Sequence, residues 1–148
     1  AGTSSFKRFL SQCDGMIAFV SQTYLSRLWC VYELATFCKM HRDVEERLFI
    51  LSLDWQRNLC SCCGDHIELT ESENSVFASF SCTKVNCSKP ADRAYVLNAI
   101  RENWGSEGAF DSYVRDILPG IMARSKKKFY EQTPTVMSRV FDLSFGGA

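Results

Sequence analysis

The sequence predicts an α/β domain built on a short parallel sheet flanked by helices. Two apolar runs read as strands, "MIAFVS" from Met16 and "RLFILSLDW" from Arg47. Between them, from about Tyr24 to His41, lies a longer and largely apolar stretch that reads as a helix, with Ser21 or Thr23 as candidate caps. Strand, helix, strand is the grammar of parallel pairing, because parallel neighbours require a crossover.

The remaining elements follow in chain order. Ser4 or Ser5 can cap a short helix, "SFKRFLSQ", with Phe6, Phe9 and Leu10 at helical spacing. Asp14-Gly15 is a turn signal before the first strand, whose uninterrupted apolar character predicts burial on both faces. Within "SVFASFSCTKV" a third strand is expected around Val76, Phe77 and Phe80. After Pro90, "DRAYVLNAIRENW" is helical, with Val96, Ile100 and Trp104 at four-residue steps, and Gly105-Ser106 breaks it. "SEGAFDSYVRDILPG" makes a further helix, with Phe110, Tyr113, Val114, Ile117 and Leu118 on one stripe, expected to stop near Pro119. Residues 1–128 form one domain in this reading, and 129–148 a tail or linker without strong pattern.

Composition limits the function classes. The chain has 148 residues, 46% of them apolar or cysteine and 23% charged, which are globular proportions with room for a single core. Lys+Arg and Asp+Glu balance at 17 each, so no whole-domain field favours nucleic acid. No apolar run approaches a bilayer span. The basic run "RSKKKFY", Arg124 to Tyr130, suits a solvated helix end, and a membrane role would need a span beyond the excerpt. The ends, "AGTSSFKRFL" and "FDLSFGGA", read as cut points in something longer. Eight cysteines without an export signal point to a reduced, cytoplasmic setting.

Chemistry concentrates at Glu33. It is the one charged residue between Leu28 and Cys38, and helical spacing puts it on a face with Trp29, Cys30, Thr36, Phe37 and Met40. A carboxylate there reaches the domain edge, pairs with a cation such as Arg27, or lines a pocket. Cys30 and His41 are too far apart along the helix to share a proton. Cys60-x-x-Cys63 followed by Cys82 and Cys87 offers two cysteine pairs for zinc, with His66 spare; the plainer reading is a cysteine-rich loop partly packed under the sheet.

The pattern S-x-x-Y-x-x-x-x-W-C-x-x-E-L, carried by Ser21, Tyr24, Trp29, Cys30, Glu33 and Leu34, resembles the corresponding segment of Toll/interleukin-1 receptor (TIR) domains, chiefly of the plant type. "SSFKRFLSQCDGMIAFVS" is similar to that family's second helix and third strand, and "RLFILSLDW" to its fourth strand, so the likeness covers about residues 4–55. It implies a flavodoxin-like three-layer sandwich, here partial, with no counterpart of the family's first two strands. It implies signalling through other TIR-like domains or through self-association. In members that cleave NAD+ it implies a catalytic glutamate at the position of Glu33, substrate-side contacts at Ser21 and Tyr24, and packing roles for Trp29 and Cys30. NAD+ would then be a substrate, and no cofactor is expected.

Overall fold

The computed structural model describes residues 3–21, 23–52 and 71–132. Helix α1 (Thr3–Gln12) leads into strand β1 (Met16–Val20). A single 3-10 turn (Tyr24–Ser26) precedes α2 (Leu28–Met40), and the short α3 (Val44–Arg47) delivers the chain to β2 (Leu48–Ser52). Four helices follow: α4 (Glu71–Ala78), α5 (Pro90–Trp104), α6 (Glu107–Asp116) and α7 (Leu118–Gln132). The described residues therefore form a mixed α/β unit with a two-stranded parallel sheet.

The strands pair in register from Met16 with Leu48 to Val20 with Ser52. Alternation along each strand divides the sheet into two unlike faces. Ala18, Val20, Leu48 and Ile50 are buried in the main core with Leu28, Val31, Leu34, Ala35 and Phe37 of α2. Ile17 and Phe19 point the other way and are 61% and 57% exposed, which corrects the expectation that β1 is buried on both faces. Gly15 admits the close approach of the two strand starts, since a Cβ there would lie 3.0 Å from the Arg47 carbonyl oxygen.

Two other expectations change. The helix expected from Tyr24 begins at Leu28, because tertiary pairing interrupts it: the Leu28 N–H donates to the Asn86 carbonyl at 2.9 Å, and the Asn86 N–H donates to the Ser26 carbonyl at 3.3 Å. No side-chain cap closes its start; Arg27 stands there in extended conformation. The stretch expected as a third strand is instead the end of α4 and the turn after it, and Phe77 and Phe80 both enter the core from there. Helix α6 does stop near Pro119, at Asp116, and a separate helix then takes up Pro119 itself. It sits in the first turn of α7, where its missing N–H leaves no helical bond unmade.

The C-terminal helices keep most of their pattern, but Ile117, expected on the buried stripe, closes α6 and is 50% exposed, and Leu118 opens α7. Val96, Ile100 and Trp104 of α5 are buried, and α5 ends at Gly105, whose φ of 82° suits glycine. Ser106 then caps α6, its Oγ accepting the Ala109 N–H at 3.1 Å. Phe110 and Val114 of α6 and Leu118 and Met122 of α7 complete the core. The basic run lies within α7, where Arg124 pairs with Glu45 and Lys128 with Glu46, while Lys126 is buried.

Candidate functional site

The carboxyl end of β1 hands the chain to α2 through a few tightly bonded residues. The Ser21 carbonyl accepts the Tyr24 N–H at 3.0 Å, and the Ser26 Oγ donates to the Thr23 carbonyl at 2.7 Å. These bonds close a compact turn in place of the continuous helix that spacing suggested. The Tyr24 side chain folds over the first turn of α2, where its hydroxyl donates to the Cys30 carbonyl at 3.2 Å. Burial pushes that hydroxyl well above the ordinary tyrosine range, with the Cys30 and Glu33 side chains adding to the effect. Tyr24 is thus a neutral donor held beside Glu33.

Glu33 lies one turn beyond Trp29 and Cys30, on a half-buried strip that also includes Met40. Thr36 and Phe37, expected on the same face, are buried. No described residue gives Glu33 a hydrogen bond or a close ion pair. Burial raises its pKa above the ordinary value of 4.5, and the field of the exposed Arg27 only partly offsets this. Burial likewise raises the Cys30 thiol, with Arg27 opposing it and Glu33 adding to it. Such a carboxylate ionises reluctantly, and the described residues leave it capacity to bind a cation or accept hydrogen bonds.

Trp29 takes a different direction from Glu33. Its ring packs edge-on against Phe6 and Tyr32, at 5.6 and 6.0 Å between centroids, and against Tyr95 at 5.7 Å. Its indole N–H donates to Asp92 Oδ2 at 3.3 Å. Trp29 therefore ties α2 to both α1 and α5. At the other end of α2, His41 lies against the Phe37 ring and its Nε2 is 3.1 Å from the Leu10 carbonyl oxygen. These contacts fix the helix that carries Glu33.

The structure brings Tyr24, Cys30 and Glu33 together. Ser21 is less closely involved, since its Oγ pairs with Thr23 Oγ1 at 3.2 Å. Sequence reasoning missed Asp92 and Asp111. Asp92 stands in the first turn of α5, a favourable place for an acid near a helix start, but nothing local links it to Trp29. Asp111 is buried, and its Oδ1 accepts the Cys82 N–H at 2.8 Å. Of the cysteines considered for zinc, Cys60 and Cys63, with His66, lie outside the described residues. Cys82 is buried in the main core and Cys87 packs against it, partly buried. Burial and the neighbouring Asp111 push the Cys82 thiol up to about 12. Among the described residues no cluster of three or more His, Cys, Asp or Glu side chains is arranged to hold a metal ion.

The chain matches no family model, no curated protein and no solved structure. Among the described residues no helix is long and apolar enough to cross a membrane.

Proposed function

We propose that this chain is a TIR-like signalling and interaction domain of the cytoplasm, and that in its complete form Glu33 serves NAD+ cleavage. The observation that carries the reading is the state of Glu33: half-buried, without a described partner, and held on a helix that follows the carboxyl end of a parallel strand. In open α/β sheets that end is where ligands commonly bind. The S-x-x-Y-x-x-x-x-W-C-x-x-E-L resemblance supplies the family and the substrate, and the parallel strand–helix–strand unit is compatible with its flavodoxin-like fold.

In this reaction the bond between the ribose C1′ and the nicotinamide nitrogen breaks. Its electron pair leaves with nicotinamide, which departs neutral. The ribosyl carbon becomes cationic, and the Glu33 carboxylate stabilises that charge from nearby. Water adds to the carbon and releases a proton, giving ADP-ribose. Tyr24, neutral and bonded to the Cys30 carbonyl, would shape the approach to Glu33, and Trp29 would hold the helix angle.

The test is nicotinamide release from NAD+ by the protein in its longest expressed form, artificially clustered, beside its Glu33→Gln variant. Gln is nearly isosteric with Glu, so loss of release with an unchanged circular dichroism spectrum assigns the chemistry to the carboxylate. Release by neither protein, with both folded, refutes the catalytic half and leaves the interaction domain. Equal release by both removes Glu33 from the chemistry.

A further inference from the structure

Helix α2 has a poor local start. Arg27 occupies its cap position, where Ser, Thr, Asp or Asn would accept an N–H of the first turn, and no side chain bonds there. The loop between α4 and α5 supplies what is missing. Arg27 and Asn86 form an isolated parallel bridge, in which the Asn86 N–H donates to the Ser26 carbonyl and the Asn86 carbonyl accepts the Leu28 N–H. Asn86 is itself held from α5. The Arg93 guanidinium forks onto the Thr83 and Val85 carbonyls, the second of them immediately before Asn86. Asp111 and Arg115 also hold this loop, but further back, at the Cys82 N–H and the Phe80 carbonyl. Asp92, the neighbour of Arg93, reaches α2 directly through the Trp29 indole. The first turn of α5 thus fixes the start of α2 at two points.

We infer that Arg93 is a positioning residue for Glu33, acting through residues 83–86 and the Arg27–Asn86 bridge. The functional meaning of this role rests on the reading of Glu33 proposed above. Glu33 lies six residues beyond Arg27, less than two turns into the helix. If the first turn frayed, the Cys30 carbonyl would lose the Tyr24 hydroxyl and water would reach the Glu33 carboxyl. Arg93 suits the task because its planar fork holds two carbonyls at once, which the point charge of a lysine does not. Its charge does not act on Glu33 directly, since the described cation whose field reaches Glu33 is Arg27. Tyr24 and Cys30, the other titratable groups beside Glu33, are kept neutral by burial. An effect of Arg93 on Glu33 therefore has to pass through the backbone of the loop.

The experiment titrates the Glu33 carboxyl by 13C NMR in the 148-residue chain, its signal identified by its loss in Glu33→Gln. Arg93→Lys and Arg93→Gln are run beside the wild type, and either one alone suffices if the other does not fold. Amide hydrogen exchange is read at Leu28 in the same proteins, with Val114 of α6 as reference. In both variants Leu28 should exchange at least about tenfold faster relative to Val114. The Glu33 midpoint should move toward 4.5, by about threefold in its ionisation constant. A midpoint unchanged in both variants overturns the inference. So does an equal loss of protection at Leu28 and Val114, because Arg93 would then support only the fold as a whole. In a wild type that releases nicotinamide, kcat should also fall about tenfold in Arg93→Lys with KM within about twofold, and an unchanged kcat overturns the positioning role. A wild type that releases none refutes the catalytic reading alone, and the titration then decides by itself whether Arg93 sets the place of Glu33.

Discussion

Trp29 offers the sharpest test of how the candidate site is held. Two kinds of contact meet on its side chain, three aromatic neighbours and one hydrogen bond to Asp92, and substitutions separate them. Trp29→Phe keeps a ring against Phe6, Tyr32 and Tyr95 but removes the indole N–H. The bond is long at 3.3 Å and only partly buried, so its loss costs about 0.5–1 kcal/mol. Trp29→Ala removes the ring as well. Large-to-Ala changes cost about 3–5 kcal/mol in full cores, and half-burial of Trp29 reduces this to about 2–3 kcal/mol. Urea denaturation followed by far-UV circular dichroism measures both, and thermal midpoints should fall about 2–4 °C per kcal/mol. Asp92→Asn combined with Trp29→Phe should cost less than the sum of the two single changes, because both act on the same bond. A Trp29→Phe variant as unstable as Trp29→Ala would refute this division, since the hydrogen bond would then outweigh the packing. A Trp29→Ala variant within 0.5 kcal/mol of wild type, about the size of an ordinary surface change, would show that Trp29 does not anchor α2.

Glu33→Gln should stabilise the fold at neutral pH. Burial raises the folded-state pKa of Glu33 above 4.5, so the native protein holds this proton to higher pH than the unfolded chain does, and stability falls as pH rises through that window. The unfolding free energies of wild type and variant should therefore converge near pH 4 and separate toward pH 7; a gap independent of pH would refute the assignment. Asp111→Ala leaves the buried Cys82 N–H without its acceptor and should cost about 1–3 kcal/mol in denaturant unfolding, whereas Asp111→Asn retains an oxygen and should cost less. Ile100→Ala should cost about 2–5 kcal/mol, while Ile17→Ala, measured at low micromolar concentration, should cost less than about 0.5 kcal/mol. Equal losses at these two positions would mean that the outward sheet face is covered within a single chain.

What the sequence made legible was period, and what it concealed was partnership. The four-residue steps of Val96, Ile100 and Trp104 identify α5 because a helix buries one stripe whatever it packs against. The start of α2 is different. Asn86 sets it from 58 residues further along, and no capping residue near Leu28 signals it. At the end of α4 and in the turn after it, Phe77 and Phe80 stand three residues apart and are both buried, but beside Val76 the run reads equally well as strand. The apolar composition of β1 is that of a doubly buried strand, yet among the described residues only one of its faces packs into the core, and Ile17 and Phe19 are exposed. Glu33 itself was visible as a lone acid in an apolar helix. Whether Arg27 neutralises it depends on side-chain geometry, and the two side chains form no close ion pair.

That last point bears on what Glu33 does. Helix α2 is tied near its start by Asn86, Tyr24 and Trp29 and at its end through His41, and no described tie uses Glu33. Among the described residues no bond offsets the partial desolvation of this carboxylate, and such an uncompensated charge lowers stability. Gln has nearly the same shape and no charge to desolvate, so packing alone does not account for an acid here. The pH series measures that cost directly, and nicotinamide release asks whether a ligand-bound state makes use of it. If Glu33→Gln gains stability at neutral pH and loses nicotinamide release, the charge opposes folding and serves chemistry. If the stability gain appears without any loss of release, Glu33 is an energetic defect of this helix and the interaction role must rest on other surfaces.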